Sequence, residues 1–379
     1  MAGESRIRAS VNGHHATVIA TFRSDATTAT LADNALTIVK NDALANRTDS
    51  NQVRVKVTDA SGNPVAGQNI TLSADNQAQV NSPAVSGSDG SIVVDITSGI
   101  AGSSNLIATV NGTSRSITLH FTGDATTARI AVGDLEAVVD GALANGLDTN
   151  RIRVKVTDAN GNALPYQTVS LSADNGALIG STLTTGADGS GQAILSNLKA
   201  GVSAVTAAIN GSSQSLNMHF SADATSATVS QLEVITQDVV ANNVANAVLR
   251  VTVVDIHGNR VSDQSVAIAA PTGVNAPATV TTDSDGTATF NVTSVKAGAQ
   301  RLTAAINSSR QYADVNFIAD AATATIALND LTVVKDNAVA NGLDNATSAH
   351  ASPMPTVTPS AATLWPSRRT TGLSYRCLR

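Results

Sequence analysis

Apolar and polar residues alternate along short stretches of the chain. In Val53-Arg54-Val55-Lys56-Val57 the valines fall on one side and the basic residues on the other. That period of two predicts a strand with one buried and one solvated face. Asp59-Ala60-Ser61-Gly62-Asn63-Pro64 follows. It predicts a turn, because Gly supplies a positive φ and Asp and Asn brace the backbone. Ile70-Thr71-Leu72 and Ile92-Val93-Val94-Asp95-Ile96 read as further strands. Asn105–Val110 and Ser114–Phe121 form a pair joined at Asn111-Gly112, a strong signal for a two-residue hairpin. Short strands of this kind, with no helical period between them, predict a Greek-key β-sandwich.

The pattern repeats. Phe22, Phe121, Phe220 and Phe317 are spaced 99, 99 and 97 residues apart. Each is followed by an Asp-Ala tract beginning at Asp25, Asp124, Asp223 or Asp320. Val53–Ala60 matches Ile152–Ala159, Ser73-Ala74-Asp75-Asn76 matches Ser172-Ala173-Asp174-Asn175, and Asp89-Gly90 matches Asp188-Gly189 and Asp285-Gly286. A fixed period of this length identifies an array of similar domains. Three complete sandwiches are expected at residues 22–121, 122–220 and 221–317. Residues 1–21 read as the C-terminal hairpin of a truncated sandwich and 318–344 as the start of another. Only a few residues separate each Phe from the next first strand, so the array is expected to form a stiff rod.

The tail departs from the repeat. Residues 345–379 hold Trp365, Cys377, four of the nine Pro, four Arg and no acidic residue. Reading the last base of each codon with the first two of the next permits Asp-Ala-Asn-Gly-Asn-Pro-Val from Met354 to Ser360. It permits Ser-Ala-Asp-Asn-Gly-Ala across 368–373. Both motifs fall where the repeat requires them. Residues 345–379 are therefore expected to be out-of-frame translation and disordered, and the first strand of the fourth unit to have no partner sheet.

Composition narrows the function. Aromatics are 2% of residues, so the cores rest on Val, Ala, Ile and Leu. The formal charge of −6 argues against nucleic-acid binding, which needs a basic face. One cysteine allows neither an intradomain disulfide nor a cysteine-ligated zinc site. No apolar run reaches the ~20 residues of a membrane helix, and the start lacks an apolar signal-peptide core.

The turn Asp-Ala-x-Gly-Asn-Pro-Val, the Ser-Ala-Asp-Asn tract after the next strand and the later Asp-Gly resemble the bacterial Ig-like domains of group 1. These build the extracellular arms of the intimin/invasin family. The third unit departs most: Val254–Arg260 keeps the turn without its Pro, and Ala269-Ala270-Pro271 replaces the Ser-Ala-Asp-Asn tract. The resemblance implies tandem immunoglobulin-like sandwiches of an outer-membrane, cell-surface adhesin concerned with cell adhesion and virulence. It further implies a β-barrel anchor and a receptor-binding tip, neither of which matches any segment here. A host-cell or bacterial surface protein or glycan is the implied partner.

No residue is singled out for catalysis, cofactor or metal binding, and the chain is not expected to be an enzyme. Asp59, Asp89, Asp158, Asp188, Asp255 and Asp285 lack the ligand density of a calcium loop and read as turn residues. His14 and His15 point to opposite strand faces. His120 and His219 read as strand packing or edge positions. Three readings remain open: a stalk or spacer, a binding module of a secreted protein, and a pseudogene fragment without function.

Overall fold

In the computed structural model, residues 2–325, 331–337, 339–340, 343–344 and 347–350 are described. They form two compact units. The first comprises Met1–Ala142, Asp148–Asn197 and Gly201–Phe220; the second comprises Leu143–Leu147, Leu198–Ala200 and the chain from Ser221 onward. Among the described residues the regular structure is strand, apart from single 3-10 turns such as Ala26–Thr28 and Ala125–Thr127.

In the first sandwich, Leu36–Lys40, Ser50–Lys56, Ser91–Thr97 and Gln79–Val80 make a four-stranded sheet. Ala43–Leu44, Thr113–Thr122, Gly102–Val110, Asn69–Ala74 and Ala84–Val85 make the facing five-stranded sheet. The first stretch of the domain serves both sheets: after Lys40 the chain crosses over, and Ala43 pairs in parallel with Phe121. Val53, Val55 and Val57 are fully buried while Arg54 and Lys56 are exposed, as the alternation predicts. They pack with Ile70, Ile96, Leu106, Leu119 and Phe121. The second sandwich repeats this strand order, with Ile152, Val154 and Val156 in the core. The third, in the second unit, does so around Leu249, Val251, Val253 and Phe317.

The Asn-Gly hairpins form as read. Asn111 and Gly112 have φ of 45° and 81°, and Val110 pairs with Thr113. Two positive φ values in succession are what a type I′ turn requires.

A buried amide ties the sheets together. Asn51 accepts from the Ala43 N–H at 2.9 Å and donates to the His120 carbonyl at 2.9 Å. Asn150 does the same with Ala142 and His219. In the third sandwich the matching residue is Ala247, also fully buried.

Phe121, Phe220 and Phe317 are core residues, but Phe22 is 58% exposed. It lies on the hairpin of Gly3–Val11 and His14–Phe22, a two-stranded sheet without a facing layer among the described residues. The first strand of the fourth unit lies in a two-stranded sheet. Thr347–His350 pairs with Leu331–Lys335, with Leu331 opposite His350 as Leu36 is opposite Val55. Residues 351–379 lie outside the described residues, and with them Trp365, Cys377 and most of the expected out-of-frame segment.

Candidate functional site, an asparagine clasp

The turn at Asp59–Asn63 is built on one carboxylate. Asp59 accepts from the backbone N–H of Ser61 and Asn63 at 3.0 and 2.9 Å, and from the Asn63 side-chain amide at 2.9 Å. It also accepts from the N–H of Asp25, 34 residues earlier, at 3.1 Å. Asp25 in turn caps the 3-10 turn Ala26–Thr28 by accepting from the Thr27 N–H. The carboxylate therefore joins the domain's entry segment to its first turn.

The second sandwich has the same knot around a fully buried Asp158, which accepts from Asn160 and Asn162 N–H, the Asn162 amide and the Asp124 N–H. Fixing Asn162 this way aims its amide at the sandwich before it. The side-chain oxygen accepts from the Ala101 N–H at 2.8 Å, and the NH2 group donates to the Gly99 carbonyl at 3.1 Å. Asn160 adds a bond to the Ala45 carbonyl at 3.1 Å. The turn thus grips two loops of the first sandwich.

Between Thr122, the last strand residue of the first sandwich, and the cap Asp124 stands only Gly123. A Cβ there would lie 2.6 Å from Leu164 Cδ2. The linker is therefore held at Asp124 by a hydrogen bond and at Gly123 by close packing.

The clasp recurs. Asn63 accepts from the Ala2 N–H at 2.8 Å in the first unit. Inside the second unit, Asn259 accepts from the Ala200 N–H and donates to the Leu198 carbonyl at 2.8 and 2.9 Å, with Asp255 bracing its turn.

Hydrogen bonds decide the electrostatics. Donation from the Asn63 side chain holds the Asp59 carboxyl below its ordinary value of 3.8, against burial. Burial is the largest influence on Asp158 and pushes it upward, but the donors led by Asn162 outweigh it and leave the value lowered. A carboxyl lowered on folding contributes stability that is complete above its unfolded value and lost as pH falls through the folded one. The thermal midpoint attributable to these knots should therefore stay level from pH 7 to pH 5 and fall only below about pH 4. Calorimetry of the chain across that range checks this; a fall already at pH 6 contradicts it.

The other sequence candidates remain apart. Asp89 and Asp188 each accept from the serine two residues on. In the third sandwich Asp283, not Asp285, is the acceptor, taking the N–H of Asp285 and Thr287. His120 and His219 sit on outward strand faces, 3.2 and 2.8 Å from Asp42 and Asp140. His14 and His15 lie on the exposed hairpin. Among the described residues no three His, Cys, Asp or Glu are grouped to hold a metal ion.

The clasp asparagines escaped the sequence reading. Their signal was there: Gly62-Asn63, Gly161-Asn162 and Gly258-Asn259 persist while the next residue varies from Pro64 to Ala163 to Arg260.

Facing sheets that share their first stretch, repeated three times with a clasp at each start, define a tandem array of immunoglobulin-like domains. The model of the bacterial Ig-like domain (group 1) matches residues 33–122, 132–221 and 229–318. The chain belongs to the bacterial Ig-like domain (group 1) family, and the resemblance drawn from its motifs is borne out. It is 30% identical over 299 residues to the inverse autotransporter adhesin YeeJ of Escherichia coli (strain K12). That match takes in 74% of this chain and spans 13% of the relative's length. Among solved structures, InvD of Yersinia pseudotuberculosis matches with a TM-score of 0.50 at 16% identity, over 77% of this chain and 98% of that one. Invasin, described as a bacterial integrin-binding protein, matches with a TM-score of 0.42 at 21% identity, over 83% and 66%. At 16% identity the likeness to InvD concerns the fold alone.

Proposed function

We propose that the chain is a spacer from the stalk of an outer-membrane adhesin of the intimin/invasin type, with domains at 22–121, 122–220 and 221–317. Its parent would sit at the cell surface, anchored by a β-barrel, and meet a host-cell or bacterial surface protein or glycan. The spacer would transmit position, not perform catalysis. The observation that carries this reading is the Asn162 clasp, which with a one-residue linker removes freedom where successive domains meet. Membership of an Ig-like family and likeness to an adhesin support it.

Small-angle scattering on the chain tests it. The two clasped sandwiches of the first unit, built on strands of about 10 residues, near 34 Å each, predict a maximum dimension of at least roughly 70 Å. Asn162→Ala deletes the bonds to Ala101 and Gly99 of the first sandwich, about 1 kcal/mol each, and with them the amide bond to Asp158. It should broaden the distance distribution while leaving the far-UV spectrum unchanged. A compact wild-type particle, or a variant with an identical profile, would defeat the spacer reading.

A further inference from the structure

In the first sandwich two long side chains stand at backbone positions that the second sandwich gives to glycine. Arg47 has φ 67° where the second sandwich has Gly146 at 76°. Gln77 has φ 56° where it has Gly176 at 81°. Residues with a Cβ adopt this left-handed region at a penalty, and strain of that kind points towards function. Both side chains line one cleft of about 230 Å³, together with Gln79, Thr97, Ser98 and Gly99.

Part of the arrangement is an exchange of bulk. Arg47 lies across Gly99, its Nε 2.7 Å from where a Cβ would be. In the second sandwich Leu198 lies likewise against Gly146, at 2.8 Å. An exchange of volume alone would need only an aliphatic residue, and it does not account for Gln77. Among the described residues, neither the Arg47 guanidinium nor the Gln77 amide has a hydrogen-bond or ion-pair partner. The Ser98 hydroxyl is taken up by Ile100. The cleft thus presents a planar cation and amide groups without an acid to meet them.

We propose that this cleft binds the carboxylate-bearing ring of an acidic sugar. A guanidinium fork matches a carboxylate in two parallel bonds; the Gln77 amide and the Thr97 hydroxyl suit ring hydroxyls, while Gln79 Nε2 donates to the Gln77 carbonyl at 3.3 Å and leaves its side-chain oxygen to accept. No aromatic side chain lines the cleft, so the carboxylate is the anchor and a neutral sugar lacks one. The inference is independent of the spacer reading, since a compact chain would keep the cleft.

The test is titration of the full chain with glucuronic acid and N-acetylneuraminic acid, followed by NMR, with glucose and N-acetylaspartate as comparators. Binding by at least one acidic sugar is expected, weakened by added salt. Arg47→Gly installs the second sandwich's residue and relieves the left-handed strain. It should weaken binding at least tenfold with an equal or higher thermal midpoint. Four outcomes overturn the proposal: no binding by either acidic sugar, equal binding by glucose or by N-acetylaspartate, unchanged affinity in Arg47→Gly, or a marked drop in that variant's thermal midpoint.

Discussion

Asp158→Ala is expected to destabilise the second sandwich by about 2–4 kcal/mol, the range for deleting a buried charged acceptor and stranding its donors. The N–H groups of Asp124, Asn160 and Asn162 and the Asn162 amide all converge on this carboxylate. A methyl group accepts from none of them, and only the Asn162 amide keeps another acceptor, the Gly99 carbonyl. Hydrogen exchange read peptide by peptide suits a chain of several domains, where one global transition is not defined. About 3 kcal/mol corresponds to roughly hundredfold faster exchange in the second sandwich. The first sandwich should lose protection only in its loops at Ala45 and Gly99–Ala101, where the clasp touches it. Acceleration below threefold would mean that the carboxylate does not hold the knot.

Gly189→Ala should be comparably harmful, by about 2–4 kcal/mol. Gly189 has φ 74°, and a Cβ there would meet Leu164 N at 2.8 Å, Ala163 Cβ at 3.0 Å and the Val156 carbonyl at 3.1 Å. Two of those atoms are backbone, so relief requires the chain itself to move. Gly161→Ala is the control. Gly161 has φ 88° but nothing within 4 Å, so it should lose only about 1 kcal/mol from the backbone term. Exchange protection of the second sandwich compares the two directly. Equal losses would show that the left-handed backbone, not the close approach, sets the requirement. The approach matters to the clasp because Gly189 packs beneath the segment from Ala163 to Leu164 that carries Asn162 into place.

What the sequence disclosed follows from the range of each interaction. The Val53-Val55-Val57 alternation reports a pleat, a local property, and its buried and exposed faces came out as read. Asn111-Gly112 likewise encodes a turn within two residues. The crossing of the chain from Lys40 to Ala43 was not legible. A two-residue strand in parallel pairing leaves no period to read; Asn51 braces it in the first sandwich, eight residues from one partner and 69 from the other, yet the third makes the same crossing with Ala247 in that place. The clasp was hidden for a similar reason. Asp158 and Asn162 look like ordinary turn chemistry because that is half of what they do. The other half is a contact with Gly99 and Ala101, more than 60 residues away. Arg47 and Gln77 were legible only against their counterparts, since a left-handed φ has no mark in a sequence unless glycine, asparagine or aspartate stands there.

The parallel pairing of Ala43–Leu44 with the end of Thr113–Thr122 has a mechanical consequence. A pull on the two ends of the first sandwich draws Ala43–Leu44 back towards the N-terminus and Phe121–Thr122 forward towards the C-terminus. Parallel strands drawn in opposite directions slide along one another, so the bonds from Asp42 N–H to the His120 carbonyl and from Ala45 N–H to the Thr122 carbonyl bear the load together. Antiparallel strands pulled from one end would open one bond at a time. The third sandwich has the same pair, Asp238 to Asn316 and Ala241 to Ile318. Each of these sandwiches thus carries a small shear-loaded latch near its exit, which makes resistance to sudden tension a property of one short parallel ladder more than of the whole core.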